Sequence, residues 1–212
     1  MPTVEVWSLW LHIAAGIVAL FAGLGALVTK KGGWRHRQVG KVFLVSMGVV
    51  VATVFVLVAI DPVAFRIILT LVAIFSGYLA FSGYRVLSRK RPTSTAHMVD
   101  WGAAGSVVLA CAGLGLWGIN WFLDGNSFGV VMIVFGGIGI AFGTLDIRSF
   151  YGENSGEWMV SHLQRMIGAF IATVSAVSAV NLTSELGIMA WLWPTILGVP
   201  LIAYWSNKYS SP

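Results

Sequence analysis

Residues 30–41 read KKGGWRHRQVGK, a basic, glycine-broken stretch with a histidine at position 36. Apolar runs flank it, at about residues 7–29 before and 40–60 after. Each is close to the ~20 residues that a helix needs to cross a hydrocarbon core roughly 30 Å thick. The stretch therefore reads as a short polar link between two membrane helices. The same arrangement returns twice: TSTAHMVDWG at 93–102 places His97, and WMVSHLQRMIG at 158–168 places His162. Each histidine opens a long apolar run, and a glycine follows within four to six residues.

Extended outward from these links, the chain resolves into seven apolar segments, near 7–29, 40–60, 64–84, 101–119, 127–145, 161–181 and 187–205. The composition leaves room for little else. Of 212 residues, 58% are hydrophobic and only 10% charged, where soluble domains carry about 25% charged residues. The expectation is an all-α integral membrane protein, a single transmembrane domain over 1–212. Segment one, MPTVEVWSLWLHIAAG onward, has no basic region and no small-residue cleavage site, and reads as a first span rather than a signal peptide.

The net charge of +5 does not call for nucleic acid, because its placement follows topology. With the N-terminus outside, the inner links and tail collect Lys30, Lys31, Arg35, Arg37, Lys41, Arg85, Arg89, Lys90, Arg91, Arg148, Arg165 and Lys208. That is 12 of the 13 basic residues, with Arg66 alone outside beside Asp61. Positive charge in short loops marks the inner side, so the spacing predicts seven spans, N-out and C-in. Trp7, Trp10, Trp34, Trp101, Trp121, Trp158 and Trp193 fall near span ends, where an interfacial aromatic belt belongs. The link IDPV joins spans two and three, and NLTSEL joins six and seven.

The three histidine links also predict an internal repeat. Each unit has a span rich in small residues running inward, a polar inner loop, a histidine, and a glycine-containing span running outward. Three parallel hairpins plus one extra helix account for the whole chain.

In that topology His36, His97 and His162 stand at one face, each in or before the first turn of an outward-running helix. Helical side chains lean toward the N-terminus, which turns the rings to the inner interface. Three neutral imidazoles make a ligand set for a divalent metal ion such as zinc, with one coordination position open. Asp100, one turn after His97, and Asp146, at the close of span five, are candidates for general base or additional ligand. Arg37 and Arg165 are candidates for holding an anion or lipid head group, and an intramembrane Arg165 calls for a carboxylate partner, Asp146 or Asp100. His12 lies near the other face and reads as a packed, hydrogen-bonded residue. The single Cys111 excludes a disulfide and a thiolate cluster. No P-loop, nucleophile elbow, His-Glu-x-x-His or Cys-x-x-Cys motif occurs, and no lysine lies within the last span to hold retinal.

LHIAAGIVALFAGLGALVTKKGGWRHRQVGKVFLVSM, FGTLDIR and SHLQRMIGAFIATVSA together resemble a bacterial group of multi-pass membrane proteins of unknown function. That resemblance implies several spans, polar residues on the inner side and a place in the bacterial plasma membrane. The chain is also similar to zinc-dependent seven-span lipid hydrolases such as alkaline ceramidases in span count and inner-face histidines. Their histidine pair four residues apart on one helix has no counterpart here.

Three functions follow as expectations. The first is a membrane metalloprotein acting on a lipid-soluble or membrane-surface substrate through His36, His97 and His162. The second is a b-type haem electron-transfer protein using two of these histidines. The third is a non-enzymatic transporter or binder of an anion or lipid head group. The topology itself is open to test: a cysteine placed at Thr93 should be labelled only from inside and one at Asp124 only from outside. Labelling of position 93 by an external impermeant thiol reagent would reverse the orientation.

Overall fold

A hydrocarbon medium offers backbone amides no partner, so each long apolar run must satisfy its own hydrogen bonds as a helix. The computed structural model, which describes residues 2–90, 94–151 and 158–210, is helical in this way. Its elements are α1 Pro2–Val28, α2 Trp34–Ile60, α3 Ala64–Arg85, a 3₁₀ turn Val86–Arg89, α4 Met98–Leu123, α5 Gly129–Phe150, α6 Trp158–Leu186 and α7 Met189–Tyr209. Arg91 and Thr93 of the second histidine link lie outside the described residues, as does 152–157 of the third.

Six helices, α1 to α6, are long and apolar enough to cross a membrane. In α7, Pro194 and Pro200, three tryptophans and a closing Ser-Asn-Lys dilute the apolar run. Much of this apolar surface is turned outward: in α1 only 17% of the apolar window is buried, and Trp7, Phe21 and Val28 are among its most exposed residues. A surface of this kind suits a lipid surround and not water.

The end of α6 differs from the expected link. NLTSEL is helix, continuous with α6, and within it Asn181 Nδ2 donates to the Val177 carbonyl at 2.7 Å and the Thr183 hydroxyl donates to that of Ala179. The chain turns only at Gly187, whose φ of +54° lets its N–H reach Thr183 O at 2.9 Å. This is a left-handed helix cap, a conformation that favours glycine.

The chain divides into two compact units, 1–77 and 78–212. In the first, α1 packs on α2. Ala15, Ala19 and Ala22 give α1 a buried stripe at helical spacing, and α2 buries Phe43, Met47, Val54 and Leu57. Within the pair, the His12 ring nitrogen Nδ1 meets Thr53 Oγ1 at 2.9 Å. The Thr53 hydroxyl hydrogen is already given to Val49 O or Val50 O, so the imidazole donates. At one end of the unit, Arg66 binds Glu5 Oε1 at 2.7 Å, Leu57 O at 3.1 Å and Asp61 Oδ2 at 3.5 Å. The one basic residue that the sequence sets apart from the others is thus neutralised by two acids.

In the second unit the closest partners are α4 with α5 and α6 with α7, and the 3₁₀ turn rests on α6. These pairs are out of step with the hairpins three-to-four and five-to-six that the sequence repeat groups. The α4–α5 contact runs along Gly129, Gly136 and Gly143, seven residues apart on α5. A Cβ on Gly136 would stand 2.8 Å from Cys111 O and 3.0 Å from the Gly115 backbone. Small residues allow helix backbones to approach this closely in a membrane, where van der Waals packing drives association. Gly136→Leu should therefore lower the melting temperature markedly, on the scale of the ~1–3 kcal/mol that overpacking costs. Gly137→Leu, at an exposed position with nothing within 4 Å, should melt like the parent. Equal melting of the two variants in detergent would sink this account of the seam.

Candidate functional site

Charged side chains gather in the second unit where α3 and α5 end and α4 and α6 begin. α3 supplies its part through a stripe at helical period: Tyr78, Ser82, Arg85 and, continuing into the 3₁₀ turn, Arg89. Two carboxylates receive them at two levels. Asp146 of α5 is fully buried, and Arg165 of α6 is 4% exposed. The Arg165 guanidinium grips the carboxylate through two bonds, Nε to Oδ2 at 3.1 Å and Nη2 to Oδ1. Its Nη1 donates to Ser161 O at 3.1 Å, and its charged centre lies 5.9 Å from the Phe142 ring centroid. The Tyr78 hydroxyl donates to Asp146 Oδ2. Asp146 is thereby bound from α3 and α6 at once.

At the second level Asp100, also buried, takes a bidentate fork from Arg85, with Nε to Oδ1 at 2.8 Å and Nη2 to Oδ2 at 2.9 Å. Its Oδ2 also accepts the His97 backbone N–H at 2.9 Å. Arg89 approaches the same carboxylate, its Nη1 3.3 Å from Oδ1, but out of line for a hydrogen bond. That nitrogen is buried and has no hydrogen-bond partner among the described residues. The Arg89 guanidinium is seated over the Phe150 ring, 4.8 Å from its centroid, and Lys90 Nζ stands 4.2 Å over Trp158. Among the described residues three guanidiniums thus face two carboxylates, with Arg85 and Arg89 both paired to Asp100.

The three histidines meet three helix ends. His36 Nδ1 lies 3.1 Å from Ala26 O, near the C-terminus of α1. Lys31 Nζ also donates there, to Ala26 O at 3.0 Å and Leu27 O at 2.6 Å, and burial lowers its pKa from the ordinary lysine value. His162 Nδ1 lies 2.8 Å from Gly83 O, where α3 tightens into the 3₁₀ turn. A carbonyl only accepts, so Nδ1 carries the proton in both rings and Nε2 the lone pair. His97 is the residue before α4, in extended conformation, with its side chain exposed. The last carbonyls of a helix lack intrahelical donors, and two of these imidazoles supply one.

His36 and Arg37 belong to the first unit, and His97, His162, Asp100, Asp146 and Arg165 to the second. Among the described residues no group of three or more His, Cys, Asp or Glu could hold a metal ion. The structure does bring Arg165 onto Asp146, and Asp100 onto Arg85 in place of Arg165. Arg37 is exposed. Tyr78, Arg85 and Arg89 are functional candidates that the histidine pattern draws attention away from. The signal for them was the i, i+4, i+7, i+11 spacing of polar residues on an otherwise apolar helix. Comparison with family models, with curated proteins and with solved structures finds no match to the chain.

Removing one partner of a buried ion pair leaves an uncompensated charge, which costs about 3–5 kcal/mol, whereas replacing both with apolar groups is often tolerated. Asp146→Ala should therefore lose stability on that scale, and Asp146→Leu combined with Arg165→Met should regain most of it. A double variant no more stable than Asp146→Ala in a detergent unfolding assay would contradict the pairing.

Proposed function

We propose that this chain is an integral membrane protein of seven spans, N-terminus outside, that binds or carries an anion or anionic lipid head group at the inner end of its second unit. The observation that carries the binding reading is the unequal charge count among the described residues, Arg85, Arg89 and Arg165 against Asp100 and Asp146. Ionisable groups at membrane depth are costly and commonly mark substrate or ion pathways. A surplus guanidinium in that setting calls for an anion. The orientation rests on the 12-to-1 distribution of basic residues, and the neutralisation of Arg66 by Glu5 and Asp61 supports it. A bacterial plasma membrane is the setting that the sequence resemblance implies.

A bound anion stabilises the folded state by mass action, by about 2.7 kcal/mol at a hundredfold excess over Kd. Melting of the purified protein in neutral detergent should thus rise saturably with inorganic phosphate or sulfate and not with chloride at matched ionic strength. No response to any oxyanion would defeat the reading. Stoichiometric metal on elemental analysis, with a melt sensitive to chelator, would favour the three-histidine metalloprotein instead, and a Soret band would favour haem.

A further inference from the structure

We propose that the ligand of this site is a phosphate group, bound by Arg89 and Lys90 at the 3₁₀ turn between α3 and α4. The proposal rests on the anion-binding reading and names its ligand and its locus. Arg89 shares Asp100 with Arg85: its Nη1 is ion-paired to Oδ1 at 3.3 Å but out of line for a hydrogen bond. The hydrogen bonds to the Asp100 oxygens come from the two-pronged Arg85 fork and the His97 backbone N–H. Arg89 is nevertheless held in place, with 13% of its side chain exposed and its guanidinium over Phe150. A buried charged donor without a hydrogen bond is expensive, and Nη1 has none among the described residues.

The adjoining residue fixes the chemistry further. Lys90 is exposed, and its ammonium sits over the Trp158 ring. A guanidinium and an ammonium on consecutive residues suit a tetrahedral oxyanion, which offers an edge to the planar fork and another oxygen to the point charge. The neighbouring Ser88 hydroxyl is already given to Arg85 O, so the two cations carry the recognition. Met98 and Val99, the two residues before Asp100, are 86% and 64% exposed. Apolar side chains of that size next to the charged pair can lie against acyl chains, so a phosphate borne by a lipid and free phosphate are both admitted by the same chemistry.

The test uses the full chain. Inorganic phosphate is titrated in neutral detergent. In parallel, nanodiscs of phosphatidylcholine are compared with nanodiscs containing phosphatidic acid, with retained lipid quantified after delipidation. Arg89→Gln should weaken phosphate binding or phosphatidic acid retention about tenfold or more, as loss of a charge-assisted bond implies. Lys90→Gln should weaken it less, and Arg148→Gln, which removes an exposed charge from the end of α5, should leave it unchanged. Saturable binding of inorganic phosphate assigns a free anion; selective retention of phosphatidic acid assigns a lipid head group. If Arg89→Gln does not fold, Arg89→Lys keeps the charge without the fork and should bind severalfold more weakly. Unchanged affinity in every folded Arg89 variant, with wild-type binding intact, overturns this locus and leaves the anion reading standing. Equal weakening by Arg148→Gln would reduce the effect to surface charge and also overturn it. Absence of any oxyanion binding by the wild type removes both.

Discussion

A carboxylate with no exposed surface is the strongest constraint on the second unit. Burying an unpaired carboxylate carries a penalty of several kcal/mol even after the surroundings relax, so the sequence must deliver a cation to Asp146 wherever α5 ends. Arg165 does so from α6 with two bonds, and its remaining nitrogen is spent on Ser161 O within its own helix. Two acceptor oxygens need more than one guanidinium edge, and the Tyr78 hydroxyl completes the shell from α3. Three helices are therefore registered against one another by a single side chain. Apolar packing alone would not fix that register, because lipid tails and leucine side chains are energetically alike in a membrane.

The spans were the most legible feature of the sequence, since their length and apolarity are set by the medium. The boundaries were less so where polar residues close a helix. NLTSEL looks like a loop by composition, yet Asn181 and Thr183 bond back to carbonyls one turn earlier, and the helix runs on to the glycine that must stop it. The Arg165–Asp146 pair was within reach because an intramembrane cation calls for an acid, and Asp146 and Asp100 lie near the same span ends. Which acid it takes is decided by tertiary packing, and Asp100 is claimed by Arg85 instead. Tyr78 and Arg89 were hidden by their surroundings, one aromatic among many and one basic residue in a run of topology signals.

Two of the three histidines meet a local need at a helix end. The last carbonyls of a helix lack intrahelical donors. An imidazole is short, neutral at ordinary pH and able to donate from Nδ1, so it can reach back to a neighbouring helix end without bringing a buried charge. His36 does this for α1 and His162 for α3, while His97 marks the start of α4. His36 and His162 share this task; His97, exposed before α4, does not. The fixed Nδ1 proton is also what a metal-ligating histidine commonly has, so ring orientation alone does not separate the two roles. Among the described residues no group of three or more His, Cys, Asp or Glu could hold a metal ion.

Between the two carboxylate levels lies Ser82, buried, with a hydroxyl that has no hydrogen-bond partner among the described residues. Serine and threonine elsewhere on α3 behave otherwise: Thr70 and Ser76 each return their hydroxyl to a carbonyl three or four residues back. Ser82 lies one turn past Tyr78 and about one turn before Arg85 and Val86, on the stripe that faces both ion pairs. Together with the unsatisfied Arg89 nitrogen two turns further along, it places two orphaned polar atoms on the charged stripe. Self-contained ion pairs would not need them, because a pair that exists only to hold helices together is most stable when every donor and acceptor is met internally. Hydrogen-bonding capacity left over beside the carboxylates is what the proposed anion site would draw on.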